Sequence, residues 1–300
     1  MFPDGPPDGP PHPDDQCFSI PSFIALQSTV IFMNTIYILG FAVIEFYTPF
    51  HFMLMSVSSY AVLRSGVSMA AVITWNPTFP KTLLTISLFL DFACYNFTMA
   101  ALFQMALHRY LQLRNSKWNR FFFEEYLFHT WLSFFTFTAL LAIAQVAFSN
   151  TKREFLVTSG FVETNFSKFW FQCVLMKVTY IFPILIIVIY ILFFIRVKKT
   201  SRSQKKWKDI PGERNRGILI IFISLLQVAI SILYEYNLWN RSPDRAQQVP
   251  IDQILTFSTA IPDLFTPLFL ICSIKKFQDR WAEFRTATVG PSSSTFFIQT

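Results

Sequence analysis

The sequence predicts an all-α membrane protein: a seven-transmembrane-helix bundle, N-terminus outside, with a short interfacial helix after the seventh span. Three observations predict it. Of 300 residues, 53% are hydrophobic and only 14% are charged, where soluble domains carry about a quarter charged. The apolar residues come in runs of about 20, the length a ~30 Å hydrocarbon core asks of a helix. The mean hydropathy is +0.41, and phenylalanine alone fills 37 positions. The net charge of +7 sits in short blocks between the runs, as in the cytoplasmic loops of membrane proteins, and this argues against nucleic acid as a partner.

Residues 1–19 are rich in Pro, Gly and Asp, the composition of a disordered tail, here extracellular. No secretory signal precedes the first span, which would serve as its own insertion signal. The spans cover residues 20–45, 52–75, 81–107, 125–148, 169–195, 216–238 and 251–273. The second is the weakest, because it holds Arg64 and several serines. The alternative is six spans with that segment buried or re-entrant.

Orientation follows from Lys and Arg. With the N-terminus outside, 17 of the 25 basic residues fall in inner loops and tail, six in outer loops, and Arg64 and Lys177 inside spans. Inner excess sets orientation in this way. Asn165-Phe166-Ser167 and Asn240-Arg241-Ser242 are glycosylation sequons, and both fall in outer loops. Asn96-Phe97-Thr98 also matches but lies mid-span. After the last span, Phe277, Trp281 and Phe284 share one helical face, opposite Lys275, Lys276 and Arg280. That pattern suits an interfacial helix over 274–286, then a disordered cytoplasmic tail over 287–300.

Charges inside a bilayer are costly and need a reason. At ~1.5 Å per residue, Asp91 and Asp263 lie about 15–18 Å below the outer ends of their spans, and Arg64 about 18 Å above its inner end. All three share one level, so Arg64 would pair with Asp91 or Asp263. Lys177 and Glu235 lie in the outer halves of adjacent spans and form a second pair. Two readings of Asp91 stand: it lines a ligand pocket open to the outside, or it neutralises Arg64 together with Asp263. The candidate ligand-binding set is Asp91, Tyr95, Lys177, Glu235 and Asp263. Eighteen residues after Asp91, five turns on, comes Arg109, so both face one way about 27 Å apart. Pro183, Pro262 and Pro267 interrupt the fifth and seventh spans and are candidate hinges.

Enzyme readings lack residues. The four histidines show no metal-ligand spacing, so no metal or other cofactor is expected. The four cysteines are scattered without a CxxC pair. GxSxG, HExxH and phosphate-loop motifs are absent. Two related halves, as in many transporters, and a carbonyl filter loop are absent too.

With seven spans and "LHRYLQL" closing the third, the chain resembles a rhodopsin-like G-protein-coupled receptor. His108-Arg109-Tyr110 resembles the Asp-Arg-Tyr motif. In "TPLFLICSIKKF", Pro267 takes the proline place of Asn-Pro-x-x-Tyr and Phe277 follows ten residues later. Pro183 matches the fifth-helix proline. His108 replaces the acid, Thr266 the asparagine and Leu270 the tyrosine. The sixth helix lacks Trp-x-Pro, and the usual disulfide cysteines are missing. "ERNRGILIIFISLLQ" and "DLFTPLFLICSIKKF" look most like the nematode serpentine receptor gamma superfamily, including class V. The resemblance covers residues 20–286. It implies a chemosensory receptor in the plasma membrane, sensory cilia included, that detects a small external ligand. It also implies coupling to a heterotrimeric G protein through His108, Arg109 and Tyr110, with membrane lipid as the other partner. The alternatives are a transporter, or a seven-helix membrane protein without signalling activity.

Overall fold

The computed structural model describes residues 18–44, 49–74, 82–114, 116–156, 159–164, 169–201, 211–239 and 245–273. In chain order these form α1 (Ile20–Ile44), α2 (Pro49–Ile73), α3 (Thr82–Arg114), a single turn α4 (Lys117–Arg120) running into a π-helical turn (Phe121–Glu125), and α5 (Leu127–Ser149). A hairpin of β1 (Lys152–Leu156) and β2 (Gly160–Thr164) follows, then α6 (Phe169–Thr179), α7 (Ile181–Ser201), α8 (Pro211–Trp239), α9 (Arg245–Ser258) and α10 (Ile261–Ser273). The interfacial helix expected over 274–286, both tails, and the sequons' Asn165 and Asn240 lie outside the described residues.

Among the described residues, six helices are long and apolar enough to cross a membrane: Ile20–Gly40, Pro49–Ile73, Thr82–Arg114, Leu127–Ser149, Cys173–Arg196 and Gly217–Asn237. They coincide with the first six expected spans. Rows of Phe, Leu and Ile point outward on them, among them Phe32, Phe148, Ile184 and Ile195 at about 60% exposure or more. Such surfaces suit a lipid surround and not water. The seventh expected span differs. It is broken into α9 and α10 by a turn at Thr259–Ala260, and neither piece is long enough to be counted with the six.

The centre of the bundle is α3. Of its span-length window 72% is buried, against 22% for α5. It touches α2, α5, α7, α8 and β1. Small residues permit this: Ala93, Ala100, Ala101 and Ala106 are all buried and let neighbouring backbones approach. A buried hydrogen bond from Asn96 Nδ2 to Gln145 Oε1, 2.9 Å, ties α3 to α5. The helix also runs two turns past the expected span end at residue 107, to Arg114. At ~1.5 Å per residue its 33 residues reach about 50 Å, more than a bilayer core.

The three prolines sit in different local settings. α6 ends at a turn on Tyr180, just before Pro183, whose ring displaces the bond to the residue 179 carbonyl. Pro262 likewise follows the turn that opens α10. Pro267 sits inside a continuous α10. It cannot donate to the carbonyl of Asp263, and Asn34 Nδ2 of α1 bonds that carbonyl instead, at 3.0 Å. A proline that frees a carbonyl thus fixes α1 against α10.

The hairpin was not expected. Arg153 faces Glu163 and Phe155 faces Phe161 across it. Gly160 has φ +81°, and a Cβ there would lie 2.7 Å from the Phe18 ring, so only glycine fits. Phe18, Phe23, Phe155, Phe161 and Phe257 pack ring on ring and seat the hairpin between α1 and α9.

Asn34→Leu should orphan the Asp263 carbonyl and lower stability by about 1 kcal/mol in detergent melting. In a Pro267→Ala background the alanine N–H supplies the missing donor, so the same change should cost markedly less. Equal costs in the two backgrounds would contradict the proline–asparagine coupling.

Candidate functional site

The hydrogen-bonding residues at the hairpin end form one chain of alternating charge. Arg64 of α2 starts it, 3% exposed. Its Nη1 lies 3.2 Å from Asp91 Oδ1 of α3. Its Nη2 lies 2.8 Å from Asp263 Oδ2 of α10, an ion pair whose angle falls short of a hydrogen bond. The depth arithmetic put Arg64 level with both acids, and it meets both rather than one.

The chain continues through a residue expected to be an exposed loop charge. Arg153 of β1 is buried. Strand alternation turns Arg153 and Phe155 inward and Lys152 outward. Its Nη1 donates to Asp91 Oδ2 and, at 3.1 Å, to Ser87 Oγ. Its Nη2 donates to Glu163 Oε1 at 2.9 Å, across the hairpin register. Burial alone would lower the Arg153 pKa, but Asp91 and Glu163 outweigh it and raise it, so the guanidinium stays charged. The guanidinium also stands 5.0 Å from the Phe161 ring centre. Tyr234 of α8 donates to Glu163 Oε2 and closes the series.

Asp263, Arg64, Asp91, Arg153, Glu163 and Tyr234 therefore connect α10, α2, α3, both strands and α8. They line a cavity of about 130 Å³ together with Tyr95, Gln227 and Asp252. An engineered apolar cavity of ~150 Å³ admits benzene, so this volume suits a small organic molecule. The Tyr95 hydroxyl, one turn below Asp91, is buried beside the Ser231 and Thr179 hydroxyls, and none of the described residues meets it in full hydrogen-bond geometry.

Three of the five expected ligand-binding residues, Asp91, Tyr95 and Asp263, line this cavity. Lys177 and Glu235 do pair, at 3.0 Å, but they do not line it. The Lys177 side chain is 58% exposed, and Tyr180 Oη also approaches Glu235, at 3.4 Å. Arg153, Glu163, Tyr234 and Asp252 line the site and were not anticipated. The turn residues Thr158-Ser159-Gly160, between the apolar residues Phe155, Leu156 and Val157 and Phe161 and Val162, are the signal that marks a hairpin, and that hairpin is what turns Arg153 inward.

No family model and no curated protein sequence matches the chain.

The motif at the far end of α3 is equally specific in place. The His108 ring lies 4.9 Å from that of Phe123, and His108 is 6% exposed. The Arg109 guanidinium stands 4.6 Å over the Phe50 ring of α2. Tyr110 packs against the core formed by α2, α3, α7 and α8. Arg109 and Asp91 thus both meet α2, as the five-turn spacing expects.

Removing Arg64 leaves Asp263 and one oxygen of Asp91 buried without a cation. Arg64→Met should therefore lower stability by about 3–5 kcal/mol. Adding Asp263→Leu should restore a large part, because the charge left stranded is then gone. Thermal melting of the single and double variants in one detergent checks this, and a double variant no better than the single would refute it.

Proposed function

We propose that the chain is a seven-span chemosensory receptor, N-terminus outside, that binds a small external ligand and signals through a heterotrimeric G protein. On this reading α9 and α10 together make the seventh span: 29 residues from Arg245 to Ser273, about 43 Å if straight. The Lys and Arg excess supports a hairpin end that faces outside, and the resemblance implies the plasma membrane of a sensory cell.

One observation carries the reading. A cavity of ligand size is lined by a buried ion chain that joins four separate helices and the hairpin. Buried charges held only by one another are sensitive to any new polar group. A ligand that binds one arrangement of the chain better than another shifts the bundle toward it. The same helix carries Arg109 at its other end, where a partner helix would dock into a groove.

The test is a screen of small molecules for G-protein activation in cells expressing the full chain, with vesicle flux measured on the same molecules. Arg109→Ala should abolish the ligand-evoked response and leave the amount at the cell surface unchanged. Flux without activation would favour a transporter. His108→Asp supplies the acid that the resemblance expects beside the arginine and should lower ligand-independent signalling. An unchanged baseline would count against a weak resting lock.

A further inference from the structure

The cavity does not treat its four acids alike. Asp91 spends Oδ1 on Arg64 and Oδ2 on Arg153. Glu163 spends Oε1 on Arg153 and Oε2 on Tyr234. Asp263 pairs with Arg64. Asp252 of α9 is different. It is 6% exposed and lines the same cavity. Its Oδ1 accepts from two neutral amides, Asn237 Nδ2 and Gln248 Nε2, both at 3.0 Å. Its Oδ2 accepts from none of the described residues, and no guanidinium or ammonium among them reaches the carboxylate. Gln248 also donates to Asn237 Oδ1 at 2.6 Å, which fixes the amide pair and so the carboxylate's orientation.

The lining carries four carboxylates against two guanidiniums, a formal charge of −2. The alternating chain accounts for −1 of this and Asp252 for the rest. A buried carboxylate held by neutral donors alone lacks the counter-charge that burial ordinarily requires. Aromatic rings that could meet a cation, Phe92, Tyr95 and Tyr234, line the same space, and Phe161 already lies under Arg153. The buried Tyr95 hydroxyl, beside Ser231 and Thr179 but in full hydrogen-bond geometry with none of the described residues, offers an acceptor for an N–H.

We propose that the cavity takes a small organic cation, a protonated or quaternary amine bearing a modest apolar body, with Asp252 as its counter-ion. Asp91 is not the counter-ion, because both its oxygens are occupied. The proposal rests on the cavity being the receptor's ligand site and names the class of ligand.

The test uses the full chain purified in nanodiscs. Phenethylammonium, benzyltrimethylammonium and tetramethylammonium are titrated against melting temperature. The neutral and anionic isosteres 2-phenylethanol and phenylacetate are run beside them. The ammonium probes should raise the melting temperature with concentration, and the isosteres should not. Asp252→Asn keeps the Oδ1 acceptor for both amides and removes the charge. It should weaken the ammonium response about tenfold or more, while Asp252→Glu should retain most of it. Equal shifts from the alcohol and the ammonium overturn the proposal, as does an unchanged response in Asp252→Asn, or no shift with any ammonium probe. Should Asp252→Asn fail to fold, the comparison of ammonium with alcohol on the wild-type chain decides alone. Ammonium binding without G-protein activation keeps this site and removes the receptor reading. Activation by neutral or anionic ligands, undisturbed by Asp252→Asn, keeps the receptor and removes the cationic ligand.

Discussion

Asp91 is held between two guanidiniums, one from a helix and one from a strand. Each arginine has a second acid, Asp263 for Arg64 and Glu163 for Arg153, and Asp91 joins the two pairs into one buried chain, where a charge left unpaired would cost several kcal/mol. The pairing therefore does more than neutralise. It decides that β1 lies over α3, that α10 lies beside α2, and that the end of the bundle is covered. The phenylalanine cluster of Phe18, Phe23, Phe155, Phe161 and Phe257 supplies the apolar contact that holds the hairpin down. The ion chain supplies its register, since the Arg153–Glu163 pair exists only with those two residues opposed.

Much of this arrangement was legible in the residues, and the part that was not has a physical cause. Span positions followed from run length, because lipid imposes a length on every helix that crosses it. The level of Arg64, Asp91 and Asp263 followed from the fixed rise of a helix. The Lys177–Glu235 pair followed in the same way. The hairpin was obscured by the same premise that found the helices: a loop between spans carries no length constraint, so Arg153 counted only as a basic loop residue. Whether it points inward depends on strand alternation, which a one-residue shift in register would reverse. Asp252 was hidden for a related reason. It sits on α9, a polar segment that reads as the start of the last apolar run, and its amide partners come from α8 and from its own helix.

The break between α9 and α10 shows local rules overriding a simple count of spans. Pro262 cannot donate a backbone hydrogen bond, so the chain turns before it, and Asp263 opens the next helix. The same break separates two functions. α10 carries the acid that pairs with Arg64, and α9 carries the acid that, among the described residues, is held by neutral amides alone. A straight helix in this place would hold both acids to one axis. With a turn between them, the cavity wall bearing Asp252 can shift while the wall bearing Asp263 stays bound to α2.

α8 would carry such a shift toward the far end of the bundle. At the hairpin end Tyr234 ties it to Glu163. Seventeen residues earlier, about 25 Å away, Gly217 leaves room for the Tyr190 ring of α7, where even a Cβ would come within 2.8 Å. Tyr190 belongs to the core that also contains Phe50, over which Arg109 stands. Close packing of this kind does not deform smoothly, because a ring either occupies the space at Gly217 or leaves it. On the proposed reading, a cation drawn to Asp252 pulls on Asn237, one turn from Tyr234 on the same helix. The force then meets a contact with two discrete states near Arg109. Signal transfer in this chain would then need no long wire of polar residues, only a rigid helix held at one end by hydrogen bonds to two buried carboxylates and at the other by a ring.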